Sequence, residues 1–319
     1  MIRGSLAPPV WPEGRRFAFT VFDDTDSQTL ENGKPVYDML QELGFRTTKS
    51  VWPLESPRPM RLEGSTGADP AYVAWTRELQ AVGFEIAYHG ASFQTSPRHV
   101  TQAGLDRFEE LYGHAPRAYA NHSRNGEGIY WGDARLSGER RHLYNLLTRF
   151  RSAGAFRGHD PSSSLFWGDL CRDRIDYVRD FVFDDVNTLR ACPVMPYVDP
   201  DRPYVKRWFA SSEGSKATSF MRTLSDENQD RLEDEGGACI MYTHFANGFV
   251  ENGRVIPSFQ RTMKRLADKG GWFVPVSTLL DHIVQERGVW LLGRRERMAL
   301  EYRWLLATIR IRAKARAPR

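Results

Sequence analysis

Phe19-Thr20-Val21-Phe22-Asp23-Asp24-Thr25-Asp26 (FTVFDDTD) runs four residues of strand character straight into three carboxylates within four positions. Aromatic and β-branched side chains suit a pleated, half-buried backbone. An isolated buried carboxylate is costly unless it is solvated, paired or bound to a cation. Such a strand ends either in a polar turn or in a site that needs the acids. At the C-terminal end of a parallel barrel strand, acids stand where barrel enzymes keep their chemistry. The remainder of the chain decides between the two.

Short apolar runs alternate with amphipathic helices on either side of that stretch. Residues 17–22 read as a first strand. Val36, Met39, Leu40 and Leu43 fall at helical spacing over residues 34–43, and Gly44 stops the helix. Residues 45–52 read as a second strand, halted by Pro53. Asp69 caps a helix that opens at Pro70. Further strands are expected at 84–88, 117–120, 155–158, 175–183, 239–243 and 272–276. Helices are expected at 101–112, 141–151 and 258–269, with Ser277 capping a final one. The segment 161–237 is the least regular and reads as long loops with a helix or short hairpin. Such alternation builds parallel βαβ units. The expected fold is α/β: one distorted (β/α) barrel of seven or eight units over residues 1–285, with a basic C-terminal helix and tail over 286–319.

The 319 residues are 41% hydrophobic and 12% aromatic, enough for a large core. The net charge is +4, but residues 287–319 carry ten Lys/Arg against two Glu, so the body is near neutral. A general nucleic-acid surface is therefore not expected. The tail mixes apolar and basic residues like an amphipathic helix on an anionic membrane or a protein partner. Three widely spaced Cys without a CxxC pair argue against a thiolate zinc site and suit a reducing compartment. The first nine residues hold no apolar run of a signal peptide, and no stretch approaches the ~18–20 apolar residues of a spanning helix. The expected location is cytoplasmic, with the tail offering peripheral contact to the inner membrane.

Five expected strands end on a ligand or proton carrier: Asp23/Asp24, His89, Asn121/His122, His159/Asp160 and His244. In a parallel barrel all these ends converge on one face. Imidazole and carboxylate together suit a divalent metal, zinc foremost, and a neighbouring carboxylate can take a proton from water. His99, His114, His142 and His282 fall on or near helices and read as surface or capping residues. Just past the strand ends, Asn121, Arg124, Asn125, Tyr130 and Trp131 offer amide, guanidinium and aromatic contacts for a sugar, and Trp167 offers another.

FTVFDDTD resembles the TFDDG motif that opens polysaccharide deacetylases, the carbohydrate esterase family 4 group. GFEIAYHG (residues 83–90) is similar to their second motif, a strand that delivers a metal-binding His. CIMYTHF (239–245) is similar to their last motif, and a WFVPVSTLL-type ending follows it. The resemblance spans residues 17–282 in order. It implies the distorted barrel of that family, with Asp23 as general base, Asp24 and His89 as metal ligands and His244 as general acid. Three departures stand out. The family's second His falls at Phe93, Thr25 replaces a Gly, and the Arg-Pro motif is blurred in Pro116–His122. A third ligand must come from Asp26, His122 or His159; His122 is favoured for its place at a strand end. The implied activity is metal-dependent removal of an N-acetyl group from a carbohydrate, nucleotide-linked or lipid-linked, in O-antigen or capsule biosynthesis. The missing His leaves open a weak or inactive barrel that binds a glycan or scaffolds other enzymes. A ureide or imide amidohydrolase on the same fold is a further alternative.

Overall fold

A computed structural model describes residues 6–58 and 60–316. The first five residues of the N-terminal segment and the last three of the basic tail lie outside the described residues. Seven parallel strands close on themselves: β1 (Ala18–Asp23), β2 (Thr48–Val51), β3 (Glu85–Tyr88), β4 (Ala118–Ala120), β5 (Tyr177–Phe183), β6 (Trp208–Glu213) and β7 (Ala238–Thr243). β7 pairs with β1 along its whole length, from Ala238↔Ala18 to Thr243↔Asp23, and with β6 at Met241↔Ser212, which completes the circle. The fold is thus a seven-stranded (β/α) barrel with helices between successive strands, and all seven C-terminal strand ends open on one face.

Each strand is buried almost throughout. A barrel wall faces side chains inside and helices outside, so its strands read as continuous apolar runs rather than alternating ones. On the outer face the helix Leu30–Glu42 buries Val36, Tyr37 and Leu40. The helix Pro70–Ala81 starts on Asp69, whose carboxylate accepts from the Ala71 and Tyr72 amides.

Three strand expectations differ from the structure. β6 lies inside the stretch read as loops, because Ala210-Ser211-Ser212 hides the β-branched signal while being fully buried in the wall. Residues 155–158 form no strand; they belong to an irregular connection between the helices Gly138–Leu147 and Gly168–Arg174. Residues 272–276 contribute only a bridge from Trp272 to Ala18. β2 pairs with β1 only from Phe22↔Thr48 onward. The 272 segment fills the edge left open at the start of β1, with Phe19 donating to the Trp272 carbonyl and Trp272 to that of Phe17. The helix expected at 141–151 is Gly138–Leu147, and the one after residue 276 is Val276–Arg287, with Pro275 rather than Ser277 at its N-cap.

The C-terminal segment packs on the barrel. A short strand Trp290–Leu291 pairs with Tyr197–Val198, which in turn pairs antiparallel with Trp208 of β6. The helix Arg294–Arg316 then crosses the open face. Its Trp304 ring lies 5.4 Å from both Phe181 of β5 and Tyr144 of the Gly138–Leu147 helix. Glu301, fully buried, accepts from Arg140 and from the Ser137 hydroxyl. No helix among the described residues is long and apolar enough to cross a membrane. All three cysteines are buried and free.

Candidate active site

Successive side chains of a strand point to opposite faces. This one rule sorts the acids at the end of β1. Phe22 and Asp24 face the barrel interior, where the Arg179 guanidinium lies 5.1 Å from the Phe22 ring and clamps Asp24 at 2.9 and 2.6 Å. Asp23 points the other way, into the helix layer, and is fully buried. One of its oxygens accepts from the Phe245 amide at 2.9 Å. The other accepts from the Gln28 amide and the Tyr37 hydroxyl, both at 2.9 Å. Lys49, equally buried, stands 4.0 Å away. Burial raises the Asp23 carboxyl above its usual range against the pull of Lys49. Burial also lowers the Lys49 amine to about 8.

Asp26, two residues beyond Asp24, returns to the pocket side. Its Oδ1 lies 2.9 Å from His122 Nε2, and its Oδ2 lies 3.3 Å from His89 Nε2 and 3.2 Å from His244 Nε2. The three imidazoles are oriented alike. His89 Nδ1 lies 2.8 Å from the Ala120 carbonyl, His244 Nδ1 is 3.0 Å from the Ser215 carbonyl, and His122 Nδ1 is 2.9 Å from Asn125 Oδ1. Those oxygens can only accept, so each Nδ1 carries the hydrogen. Three Nε2 atoms therefore converge on one carboxylate. As lone pairs they would repel it; a proton or a cation must sit between. Burial opposes the charge on Asp26, but the hydrogen bonds from His122, His244 and His89 outweigh it and hold the carboxyl far below the usual range. Burial alone would lower the two imidazoles as well; Asp26 instead raises His122 and lifts His244 to about 9.

This donor set fits a divalent metal. Ligand atoms of Asp24, Asp26 and His89 lie within 4.8 Å of one another. Imidazole Nε2 donors whose Nδ1–H is anchored on a carbonyl are the arrangement that fixes tautomer and ring orientation at metal centres. Asn125 extends the support, since its amide donates to Glu127 at 3.0 Å and to the Ser92 carbonyl at 2.9 Å. Burial raises the Glu127 carboxyl to about 7.

The pocket above these groups has a volume of about 230 Å³. Trp131 and Trp304 form its aromatic wall, with Ile311 and Arg312 of the C-terminal helix at the rim. The Arg135 guanidinium lies 3.4 Å from the Trp131 ring and 4.8 Å from the Trp304 ring. Its Nη1 donates to the Asp180 carbonyl, while its Nε is buried without a partner. Burial lowers this guanidinium to about 10.

Of the residues expected from sequence, the pocket brings together Asp24, His89, His122 and His244 with Asn121 and Trp131. The others lie elsewhere. Asp23 sits behind the wall, for the alternation reason above. Trp167 is fully buried, packs on Tyr119 at 5.3 Å and donates its indole hydrogen to the Glu127 carbonyl. Tyr130 packs on His159 at 4.3 Å, and the Tyr130 amide donates to His159 Nδ1, so His159 stands in a loop away from the three imidazoles. Arg124 lies over the Phe93 ring, and Asn125 supports His122 from outside the pocket. His282 is half-buried: its ring meets Trp272 edge-on at 5.0 Å and its Nε2 donates to the Val10 carbonyl. Sequence reasoning named Asp26 only as one of three candidates for the third ligand and passed over Arg179. Both were readable: Asp26 from its i, i+2 relation to Asp24, and Arg179 from a charge set inside the aromatic strand YVRDFVF.

No known family model matches the chain, and no curated protein matches it significantly. Among solved structures, the PuuE allantoinase superposes with a TM-score of 0.48 at 14% identity, covering 88% of this chain and 94% of that one. A polysaccharide deacetylase structure from Mycobacterium smegmatis gives 0.47 at 14% identity, covering 91% and 99%. Another from Pseudomonas aeruginosa PAO1 gives 0.47 at 14%, covering 88% and 95%.

Proposed function

We propose that this barrel hydrolyses an N-acetyl group on a carbohydrate, using a divalent metal held by Asp26, His89 and His122, with Asp24 beside them. The observation that carries the reading is the convergence of three Nε2 atoms, each fixed by an outward Nδ1–H bond, on the Asp26 carboxylate. When bound, a cation such as zinc would supply Lewis-acid polarisation of the acyl carbonyl and of water. Asp24, held in place by the bidentate Arg179 clamp, takes the proton as water attacks. Asp24 replaces Asp23 in that role because Asp24 lines the pocket, whereas Asp23 points away from it to Gln28, Tyr37 and the Phe245 amide. His244 Nε2, which faces Asp26 Oδ2 whereas His122 faces Oδ1, gives its proton to the leaving nitrogen. Trp131 and Trp304 present flat faces for a sugar ring, and Arg135 holds the two rings in place.

A pocket of about 230 Å³ takes one sugar residue rather than a polymer segment. This size supports a small precursor as substrate and suits the place in surface polysaccharide assembly that the sequence resemblance implies. The same size also favours a second reading, hydrolysis of a cyclic ureide or imide.

Metal analysis of the purified full chain tests the site, with Asp24→Ala, Asp26→Ala and His89→Ala as controls. About one metal per chain in the wild type, lost in Asp26→Ala and His89→Ala, is expected. No stoichiometric metal after reconstitution with zinc, iron or manganese would sink the mechanism and leave a glycan-binding barrel. Acetate release from N-acetylated sugars, set against ring opening of a cyclic ureide, then separates the two substrate classes.

A further inference from the structure

The Gly138–Leu147 helix and the C-terminal helix lie side by side, joined by the Arg140–Glu301 pair and the Tyr144–Trp304 contact. Between their ends opens a second cleft of about 640 Å³. Arg149, Arg151 and Arg312 line it, together with hydroxyl-bearing Tyr144, Thr148 and Ser152, and no carboxylate does. Arg312 also lines the pocket of the three imidazoles, so the two cavities share a wall.

Three guanidinium groups around one cleft repel each other. Elsewhere on this surface such charge is met by acids: Arg310 and Lys314 by Asp184, Arg141 by Asp133, Arg140 by Glu301. The acids nearest the cleft are spent. Asp133 is buried and accepts from Arg141, Asn145 and the Gly154 amide, and Glu301 is buried beneath Arg140 and Ser137. Arg149, Arg151 and Arg312 make no ion pair among the described residues. The backbone holds the first two by a tight turn. Arg149 and Phe150 both adopt left-handed φ, 54° and 57°, a conformation disfavoured for non-glycine residues, and the Phe150 amide donates to the Asn145 carbonyl at 2.7 Å. Multiple guanidinium donors without a competing carboxylate are the chemistry that receives phosphate oxygens. A single carboxylate would satisfy one arginine and leave two.

We propose that this cleft is a phosphate subsite, taking the phosphate or diphosphate arm of a glycosyl substrate whose acylated sugar occupies the adjoining pocket. The second half of that statement rests on the deacetylase reading; the phosphate site itself does not. Two sources share the chemistry, a soluble sugar phosphate and a lipid-borne one. The surface beside the cleft bears on the choice. Leu143, Leu146, Leu147 and Phe150 are exposed on one side of it, and Tyr302, Leu306 and Ile309 on the other. Apolar side chains ringed by arginine are suited to the headgroup boundary of an anionic bilayer.

The test is calorimetric titration of the full chain with inorganic pyrophosphate, run on the wild type, Arg149→Ala/Arg151→Ala and Arg312→Ala. Saturable binding in the wild type is expected, weakened about tenfold or more in each variant, since a charge-assisted hydrogen bond carries roughly that factor, and weakened again by added salt. Thermal melts and metal stoichiometry are read on the same samples. Variants that melt and bind metal like the wild type but lose pyrophosphate establish the subsite. Arg149→Lys/Arg151→Lys, which keeps the charge, should recover part of the affinity. Flotation with phosphatidylglycerol vesicles against phosphatidylcholine vesicles separates the sources: arginine-dependent flotation with the anionic vesicles assigns the lipid-borne phosphate, and pyrophosphate binding without it assigns the soluble one. Absence of pyrophosphate binding, or binding equal in wild type and both alanine variants, overturns the subsite whatever the metal analysis gives. Arginine-dependent pyrophosphate binding in a chain that holds no metal leaves the subsite standing and removes the deacetylase reading.

Discussion

Arg179→Met probes the buried charge pair that lines the pocket. Arg179 and Asp24 are 2% and 4% exposed, and their two hydrogen bonds of 2.9 and 2.6 Å form a parallel fork. Methionine keeps much of the stem's volume and removes the charge. Asp24 then loses both guanidinium hydrogen bonds in the barrel interior, with His89 Nε2 3.8 Å away. Breaking one side of a buried ion pair costs about 3–5 kcal/mol. Unfolding entropy of ~2.1 cal/mol/K per residue gives about 0.7 kcal/mol/K for 319 residues, so the chelated variant should melt about 4–8 °C below the chelated wild type. A divalent cation placed among Asp24, Asp26 and His89 supplies the missing positive charge. Saturation at a hundred times Kd stabilises any protein by about 2.7 kcal/mol, near 4 °C for this chain. The variant should gain more than that, because its cation also relieves an unpaired carboxylate. The assay is differential scanning calorimetry of both proteins in chelator and in zinc. A variant melting within a degree of the wild type in chelator refutes the buried-pair argument. A zinc-induced shift no larger than that of the wild type refutes the placement of the cation beside Asp24.

Three other substitutions extend the test. Asp26→Asn keeps the shape but removes the charge that all three imidazoles face, so zinc affinity should fall at least 100-fold, beyond the 10–100-fold typical of an outer partner; competition with a chromogenic chelator measures it, and a change under fivefold counts against Asp26 as a ligand. Lys49 has its amine lowered to about 8 from 10.5, so the folded chain binds fewer protons than the unfolded one between those values, and this term adds stability as pH rises through that window. The stability of the wild type relative to Lys49→Met should therefore climb by about 3 kcal/mol between pH 8 and 10.5, read from urea melts; a flat difference contradicts the lowering of the Lys49 amine by burial. Trp304→Ala removes the ring shared by Phe181, Tyr144 and Arg135 and should cost about 3–5 kcal/mol. It should also raise KM for any sugar substrate more than it lowers kcat, and a pure kcat effect would contradict the ring's place in the pocket wall.

The barrel was legible because its strands are short apolar runs with helices between them, and because four of them end on polar residues that cannot be packing material. Asp24, His89, His122 and His244 were found in that way. What failed was finer than the pattern. Trp208–Glu213 carries three small residues, Ala210, Ser211 and Ser212, where a strand signal needs bulk, yet the wall buries them completely. Residues 272–276 carry the bulk but find only the first part of β1 unpaired, since β2 takes its end from Phe22 and β7 takes its whole other edge. The roles of the acids turned on facing. Adjacent Asp23 and Asp24 cannot both look into the barrel from a strand, whereas Asp24 and Asp26 can. Trp167 shows the converse limit: a tryptophan beside a loop offers no sign, in sequence alone, of whether its ring meets a ligand or, as here, Tyr119 and Tyr88.

The C-terminal segment was the hardest to read, for a physical reason. An amphipathic helix announces its docking face by a single apolar stripe. In Arg294–Arg316, Leu300, Trp304 and Ala307 are buried against the barrel while Tyr302, Leu306 and Ile309 are exposed. Apolar residues on two opposed sides cancel as a periodic signal, so the sequence showed a basic helix without showing which way it lay. Yet this helix supplies Trp304, Ile311 and Arg312 to the pocket whose chemistry comes from the ends of β1, β3, β4 and β7. A site whose catalytic groups are set by strand ends and whose wall is set by a separate helix can change substrate without disturbing its metal ligands. If the proposed reaction holds, substitutions on the inner face of this helix should therefore alter which substrate is accepted, and leave any metal stoichiometry at the wild-type value.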